Sequence, residues 1–495
     1  MPMTASIARP LLALAATLLL VSCAVPPRSE RPPLRDEAPL AGVDVPAGGE
    51  WPSPDWWTRY DDPQLDRLEE LALARSPSLQ EAQRRFGAAV QAVDIARAAE
   101  GLTGEASAQV QRQRLSEHGL IPSQFLGFTW YNQGDLAVSV RHDFDFWGRS
   151  RAAIAASVDE ARAAEAERAA AALLLTSAVA ETYLAWAADH VRLALAAETV
   201  AALERSRAIG ARRVARGIDP PDLLQQADAR IAAAAEQRAA ESGAVRIRLA
   251  ALAALLGSAP SELADLQPPP LPAVGGALPD DAGLDLLARR PDIAASRWRV
   301  EAALERTEQA RAAFYPDISL GAMAGLSSID LDQLLDPGSR VAAFGPALHL
   351  PVFGRDRLRA AHGASQAQLQ AAAAHYDAVV VDAAREVASQ ALLLAQIDAR
   401  RSERARQLDA ARALERSAAA RVRRGIADDR VHLDALAGVL QQRDAMAALD
   451  AQRLAAEIAL TRALGGGYHQ PAPADGDAPA SAADRVPVPA ANPNG

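Results

Sequence analysis

The chain has 495 residues, with 52 basic against 62 acidic side chains and a formal net charge of −10. Half of it is apolar, which excludes general disorder, and the negative balance argues against a nucleic-acid binder. A single Cys excludes a disulfide-stapled domain, and the one long apolar run, at the N-terminus, argues against a bundle of membrane-spanning helices. All the basic residues are Arg, and aromatics make up only 4%. Ala, Leu and Val therefore supply the apolar surface, a composition suited to long, thin, closely packed helices.

The first element is an address. Arg9 and Pro10 precede an apolar stretch from Leu11 to Val21, then Ser22 and Cys23. This order predicts a secretory signal peptide over 1–22. Leu20-Val21-Ser22-Cys23 resembles the bacterial lipobox, in which the Cys becomes the lipidated first residue. A covalent lipid on Cys23 is the only prosthetic group expected; each buried CH₂ of its chains contributes roughly 0.8 kcal/mol. Ala24 after the Cys is compatible with the outer membrane. Residues 23–55, rich in Pro, Gly and charge, read as an extended tether. Residues 469–495 read as a disordered tail.

Between them the body is written twice. Phe146-Trp147-Gly148-Arg149-Ser150-Arg151 matches Val352-Phe353-Gly354-Arg355-Asp356-Arg357. Arg216-Gly217-Ile218 matches Arg424-Gly425-Ile426, and Leu255-Leu256-Gly257 matches Ala463-Leu464-Gly465. The two repeats span 56–267 and 281–468, with a Pro-rich linker at 268–280. Each half predicts a short helix (Leu65–Arg75, Leu284–Arg289), a break at Pro, and a helix of some two dozen residues (Ser78–Gly101, Asp292–Phe314). Strands follow, at about 104–146 and 316–352. Next come a very long helix (149–214, 355–422) and a last helix (Asp222–Leu256, Asp429–Leu464). A helix of 65 residues is roughly 100 Å long. The two shorter helices together nearly match it, so each half pairs one long helix with two stacked ones.

The strands alternate. Leu136, Val138, Val140, His142, Phe144 and Phe146 interleave with Asp135, Ala137, Ser139, Arg141, Asp143 and Asp145. Ile318, Leu320, Ala322, Ala324 and Leu326 do the same; 105–115 and 341–352 are weaker. Their lengths suit membrane-spanning strands. Phe144, Phe146, Trp147, Phe314, Tyr315 and Phe353 stand where strand meets helix, the place for an interfacial aromatic girdle. Four strands cannot close a barrel, and an open edge in lipid leaves backbone groups unsatisfied. Spanning strands therefore require several chains, and three chains give twelve strands.

Asp55-Trp56-Trp57, Asp61-Asp62-Pro63-Gln64-Leu65, Leu287-Ala288-Arg289-Arg290-Pro291-Asp292-Ile293, Ala310 to Pro316, Phe146 to Arg149 and Ala463 to Tyr468 occur in this order inside the duplication. Together they resemble the TolC/NodT-type outer-membrane factor family, in its lipoprotein efflux branch, over roughly Trp56 to Tyr468. The resemblance implies a mainly α fold with a small β part. It implies a homotrimer with a shared 12-stranded outer-membrane barrel continuing into an α-helical periplasmic tunnel. It also implies a passive exit duct for small molecules, partnered by a periplasmic adaptor and an inner-membrane pump.

Under that resemblance the helix tips form the periplasmic mouth, with turn glycines Gly217 and Gly425. A family aspartate that faces the narrowed pore matches Asp434; three copies would make a carboxylate ring favouring cations. Asp428, Asp429 and Arg424 are further aperture candidates, although Asp428 and Asp429 also suit helix capping and dipole compensation. Arg430, four residues before Asp434, is placed to pair with it. Gln226 occupies the equivalent position in the first half. The eight His are dispersed, with no spacing for a metal, and no phosphate loop or nucleophile elbow occurs. Other readings are a type I protein-secretion or metal-efflux channel of the same fold, and a periplasmic coiled-coil lipoprotein with no pore.

Overall fold

The computed structural model describes residues 25–40, 42, 48–116, 127–273, 275, 277–351 and 353–469. The signal peptide, Cys23 and residues 470–495 lie outside them.

Twelve principal elements follow in chain order. They are α1 (Pro63–Arg75), α2 (Pro77–Glu100), β1 (Thr103–Arg114), β2 (Trp130–Phe144), α3 (Arg149–Ala215), α4 (Asp222–Leu255), α5 (Ala282–Arg289), α6 (Pro291–Ala312), β3 (Asp317–Ser328), β4 (Arg340–His349), α7 (Arg355–Arg423) and α8 (Asp429–Ala463). Helices α1, α2 and α6 each begin with Pro, which tolerates the first turn because its missing N–H would have had no partner there. Helices α3 and α7 run for 67 and 69 residues. Their Ala-rich sequences keep helix propensity high throughout.

The helices form one open layer. Helices α2 (24 residues) and α4 (34 residues) lie against one side of α3. Helices α6 (22 residues) and α8 (35 residues) lie between α3 and α7. The stacked pairs meet at matching joints. Gly257, after α4, sits on the Arg75 carbonyl and the Pro77 ring; Gly465, after α8, sits on the Arg289 carbonyl.

Two cores lie beside these joints. One packs Trp56, Leu65 and Leu68 with Leu175, Val179 and Tyr183 of α3 and Leu252 of α4. The other packs Leu286, Ile293 and Val300 with Val380, Val387 and Leu394 of α7 and Leu460 of α8. Helix α3 holds an 18-residue window apolar enough to cross a bilayer. That makes it a second apolar run besides the N-terminal one, and it supplies the first core.

The sheet is antiparallel throughout, in the order β1-β2-β3-β4. Cross-strand register puts Val140, Ala322 and Phe344 on one face, with Phe144, Ile318 and Leu348. The opposite face carries Gln109, Asp135 and Ser327, and Ser327 donates to Asp135 at 2.7 Å. Strand β2 begins at Trp130, six residues before the alternation becomes clear. Asn132 and Gly134 interrupt the apolar pattern there while the ladder to β1 continues.

The tether expected over 23–55 is extended but fastened. Its described part crosses α6, α7 and α5. Arg31 pairs with Glu301 at 2.6 Å, the Tyr376 hydroxyl donates to the Arg35 carbonyl at 3.1 Å, and Ala38 N donates to the Gly283 carbonyl at 3.0 Å. Ala38 is buried in the second core. Burial and these bonds offset the ordering entropy that a Pro-rich composition would otherwise retain. At the other end, His469 lies 3.0 Å from Arg289, so the first residue of the expected tail is held.

Candidate functional site: the helix tips

The ends of α3–α4 and α7–α8 remote from the strands are built alike. Gly217 and Gly425 adopt φ of 70° and 71°, the left-handed conformation that costs a glycine nothing. In each turn the glycine N–H donates to the carbonyl three residues back (Val214, Val422) at 2.9 Å. The next residue, Ile218 or Ile426, donates five back (Arg213, Arg421) at 3.0 Å. These bonds close the otherwise open carbonyls of a helix end.

Four charged side chains tie the two tips together. Arg213 donates twice to Asp219, at 2.8 and 3.0 Å, and lies 3.4 Å from Asp428. Arg430 lies 2.9 Å from Asp219 and donates to Asp428 at 3.0 and 3.1 Å. The charges alternate around a closed ring, so each carboxylate has two cationic neighbours. Hydrogen bonding from Arg213 holds the Asp219 carboxyl below the usual carboxylate range. The ring is not legible in the sequence, where Arg430 reads as a partner for Asp434, because no single-helix spacing joins its members across the two tips.

The candidate residues separate. Asp428 is the N-cap of α8, its carboxylate accepting from Arg430 N at 3.1 Å, and it is also a member of the ring. Asp429 lies in the first turn of α8, where a negative charge complements the helix dipole. Arg424 caps α7 and is exposed. The expected Arg430–Asp434 pair is not formed, because Arg430 is held by the ring. Asp434 instead accepts from Arg230 of α4 at 3.2 Å, with both side chains about half exposed. Sequence reasoning missed Arg230, which stands one helical turn after Gln226.

At the opposite ends of the helices lie the aromatics. Trp147 and Tyr315 stack at 4.6 Å, and the Trp147 indole donates to the Pro316 carbonyl at 2.8 Å. Phe144 stacks on Phe146 at 5.6 Å. Phe314 is half-buried and meets His362 edge-on, whereas Phe353 is almost fully exposed. The six residues thus share one level, but only some point outward.

The duplicated body has known relatives. The model of the outer membrane efflux protein family matches residues 68–258 and 284–466, one segment per repeat. The multidrug resistance outer membrane protein MdtP of Escherichia coli O6:H1 is 33% identical over 465 residues, 92% of this chain and 95% of MdtP. MdtQ of E. coli O157:H7 is 31% identical over 468 residues, 91% and 96% of the two chains. Among solved structures, the outer membrane protein VceC of Vibrio cholerae aligns with a TM-score of 0.75 at 31% identity, over 84% of this chain and all of VceC. The outer-membrane channel OprN aligns with a TM-score of 0.80 at 27% identity, over 90% and 99%.

Proposed function

The chain belongs to the outer membrane efflux protein family, and from that premise we propose that three copies form the outer-membrane exit duct of a drug-exporting tripartite pump. The observation that carries the assembly is that sheet and helix layer are open at the same two sides. Strand β1 and the α2/α4 stack form one side, and β4 and α7 the other. Side-by-side copies therefore satisfy the strand edges and cover the helix faces in one act. Two copies would give eight strands, whose interior is filled by side chains. Three give twelve and leave a lumen. Lipid on Cys23 anchors the duct; a periplasmic adaptor and an inner-membrane pump feed it. The aromatic level from Phe144 to Phe353 marks the membrane boundary, and the helix tips form the periplasmic mouth. Relatives named for multidrug resistance support small molecules as cargo over proteins or metal ions.

At the mouth, Asp434 faces the pore and Arg230 shares its charge. Exposed pairs of this kind are worth about 0.2–1 kcal/mol, weak enough to yield to a passing ion. Two measurements test the reading. Light scattering on the purified chain should return three times the mass of one mature copy. In planar bilayers, Asp434→Asn should lower cation-over-anion selectivity and Arg230→Gln should raise it. Reversal potentials unmoved by both would refute the pore-facing assignment, and a monomer without conductance would refute the duct.

A further inference from the structure

A groove of about 510 Å³ opens just below the Trp147–Tyr315 stack. It lies where the N-terminal strap crosses between the start of α3 and the end of α6. Its charged wall is Arg28 of the strap, Arg151 of α3, and Glu305, Glu308 and Arg311 of α6, with Trp147 at its upper rim. Some of these charges are matched. Arg311 donates to Glu308 at 2.9 Å, and Arg151 to Asp145 at 3.3 Å. Glu308 also accepts from Ser29 N at 3.3 Å. Two are not. Among the described residues, neither Glu305 nor Arg28 makes a hydrogen bond or ion pair, although both line this groove. Glu305 is half-buried, and burial, with Glu308 and Glu301 beside it, raises its pKa. A half-buried carboxylate in that setting is short of a cation, and Arg28, exposed at the edge of the groove, is free to take an anion.

A ligand carrying both charges a few ångströms apart answers both shortages. We propose that the groove holds a phosphoethanolamine lipid headgroup, its phosphate on Arg28 and Arg151 and its ammonium on Glu305. This rests on the outer-membrane reading, which places the aromatic level at the lipid boundary. The lipid chains then run up the apolar sheet face past Phe144, Ile318 and Leu320. The groove lies in the middle of the protomer, away from the two open sides, so assembly leaves it accessible. An ammonium donates hydrogen bonds to a carboxylate and a trimethylammonium does not. The site therefore separates phosphatidylethanolamine from phosphatidylcholine as well as from phosphatidylglycerol.

The test uses the full chain reconstituted in vesicles holding the three lipids in equal amounts, re-extracted in mild detergent, with the retained lipid read by native mass spectrometry. Phosphatidylethanolamine should be enriched roughly fivefold over phosphatidylglycerol, the effect of one favourable charge contact at a membrane surface, and by a smaller factor over phosphatidylcholine, which keeps the charge but cannot donate a hydrogen bond to Glu305. Glu305→Gln should remove the preference over phosphatidylglycerol, and Arg28→Ala should reduce retention of both. Millimolar soluble phosphoethanolamine should fail to displace the lipid, since the chains contribute to binding. Displacement would reassign the groove to a free ligand and overturn the lipid proposal. Equal retention of all three lipids, or enrichment untouched by both variants, would also overturn it. Bilayer conductance of the same samples keeps the cases apart: loss of conductance in the wild type counts against the duct, whereas intact conductance with no lipid preference counts against this site.

Discussion

At the residue scale, two sets of charges are held in opposite ways. Glu69 of α1 is fully buried against α3, and neither of its carboxyl oxygens completes a hydrogen bond. Burial lifts its pKa from the ordinary 4.5 to about 9, opposed by the nearby Ala180 backbone and aided to a lesser degree by Asp66. Between those values the unfolded chain is ionised here and the folded chain is protonated. The folded state then binds the extra proton, so stability falls as pH rises, by up to about 1.4 kcal/mol per unit. Thermal unfolding followed by circular dichroism should show Glu69→Gln raising Tm at pH 8 and leaving it nearly unchanged at pH 4. An equal shift at both pH values would mean that the fold does not raise the Glu69 pKa. The tip ring has the opposite sign. The Asp219 pKa is lowered, chiefly by its hydrogen bonds from Arg213. Its contribution is present at neutral pH and is lost on acidification below about 4, as the folded carboxylate protonates. Asp219→Asn should therefore loosen the tip at pH 7 as strong acid loosens the wild type. The expected readout is single-channel conductance raised at pH 7, and a variant indistinguishable from wild type would show that the ring does not restrain the mouth. Neither set was legible in the sequence: Glu69 looked like any solvated helix charge, and the ring joins two halves whose relative register only packing decides.

At the scale of the elements, most was legible, because the signals are local. Uninterrupted Ala-rich sequence marks α3 and α7, Pro marks the starts of α1, α2 and α6, and the paired glycines mark the tips. The joint between stacked helices was not, since Gly465 reads as one glycine in a run of three. In the structure a Cβ there would stand 1.8 Å from the Arg289 carbonyl. Arg290 next to it donates to the Ala463 carbonyl at 2.8 Å and pairs with Glu386 at 3.0 Å, so the surrounding backbone is held firmly. The two glycines should therefore differ on replacement. Gly425→Ala meets open space and strains only φ, costing roughly 1–2 kcal/mol. Gly465→Ala adds a backbone clash and should cost several-fold more, within the upper range for single substitutions, about 4 kcal/mol. Denaturation midpoints of the two variants check the order; equal losses would mean that the joint gives way freely.

At the scale of the whole molecule, the duplication and the alternating strands are enough to point to a shared barrel, because four strands cannot close alone. The sequence could not say which helices touch across the repeats. The structure puts α6 and α8 of the second half against α3 of the first, so the halves share one continuous wall. Phe344 stands in the middle of β4 and is 91% exposed in the single chain, on the apolar face of the sheet, which the proposed duct turns to lipid. Phe344→Arg should cost roughly 2–4 kcal/mol on insertion, seen as fewer heat-resistant trimers on gels, whereas Gly345→Ser on the opposite face should be tolerated. Similar losses from both would reverse the inside and outside of the barrel. The matched helices carry a last consequence. Each unbroken helix is flanked by a pair whose joint is pinned and whose far end is bound to its own tip, so none of the three can change length alone. Cutting two heptads from α3 would leave α4 overhanging and pull the tip charges out of reach. Only a deletion repeated in α4, α7 and α8 keeps the ends level. The molecule is thus its own gauge block: its reach, on the order of 100 Å at 1.5 Å per residue, is fixed by mutual constraint, and a partner meeting the tips can count on where they are.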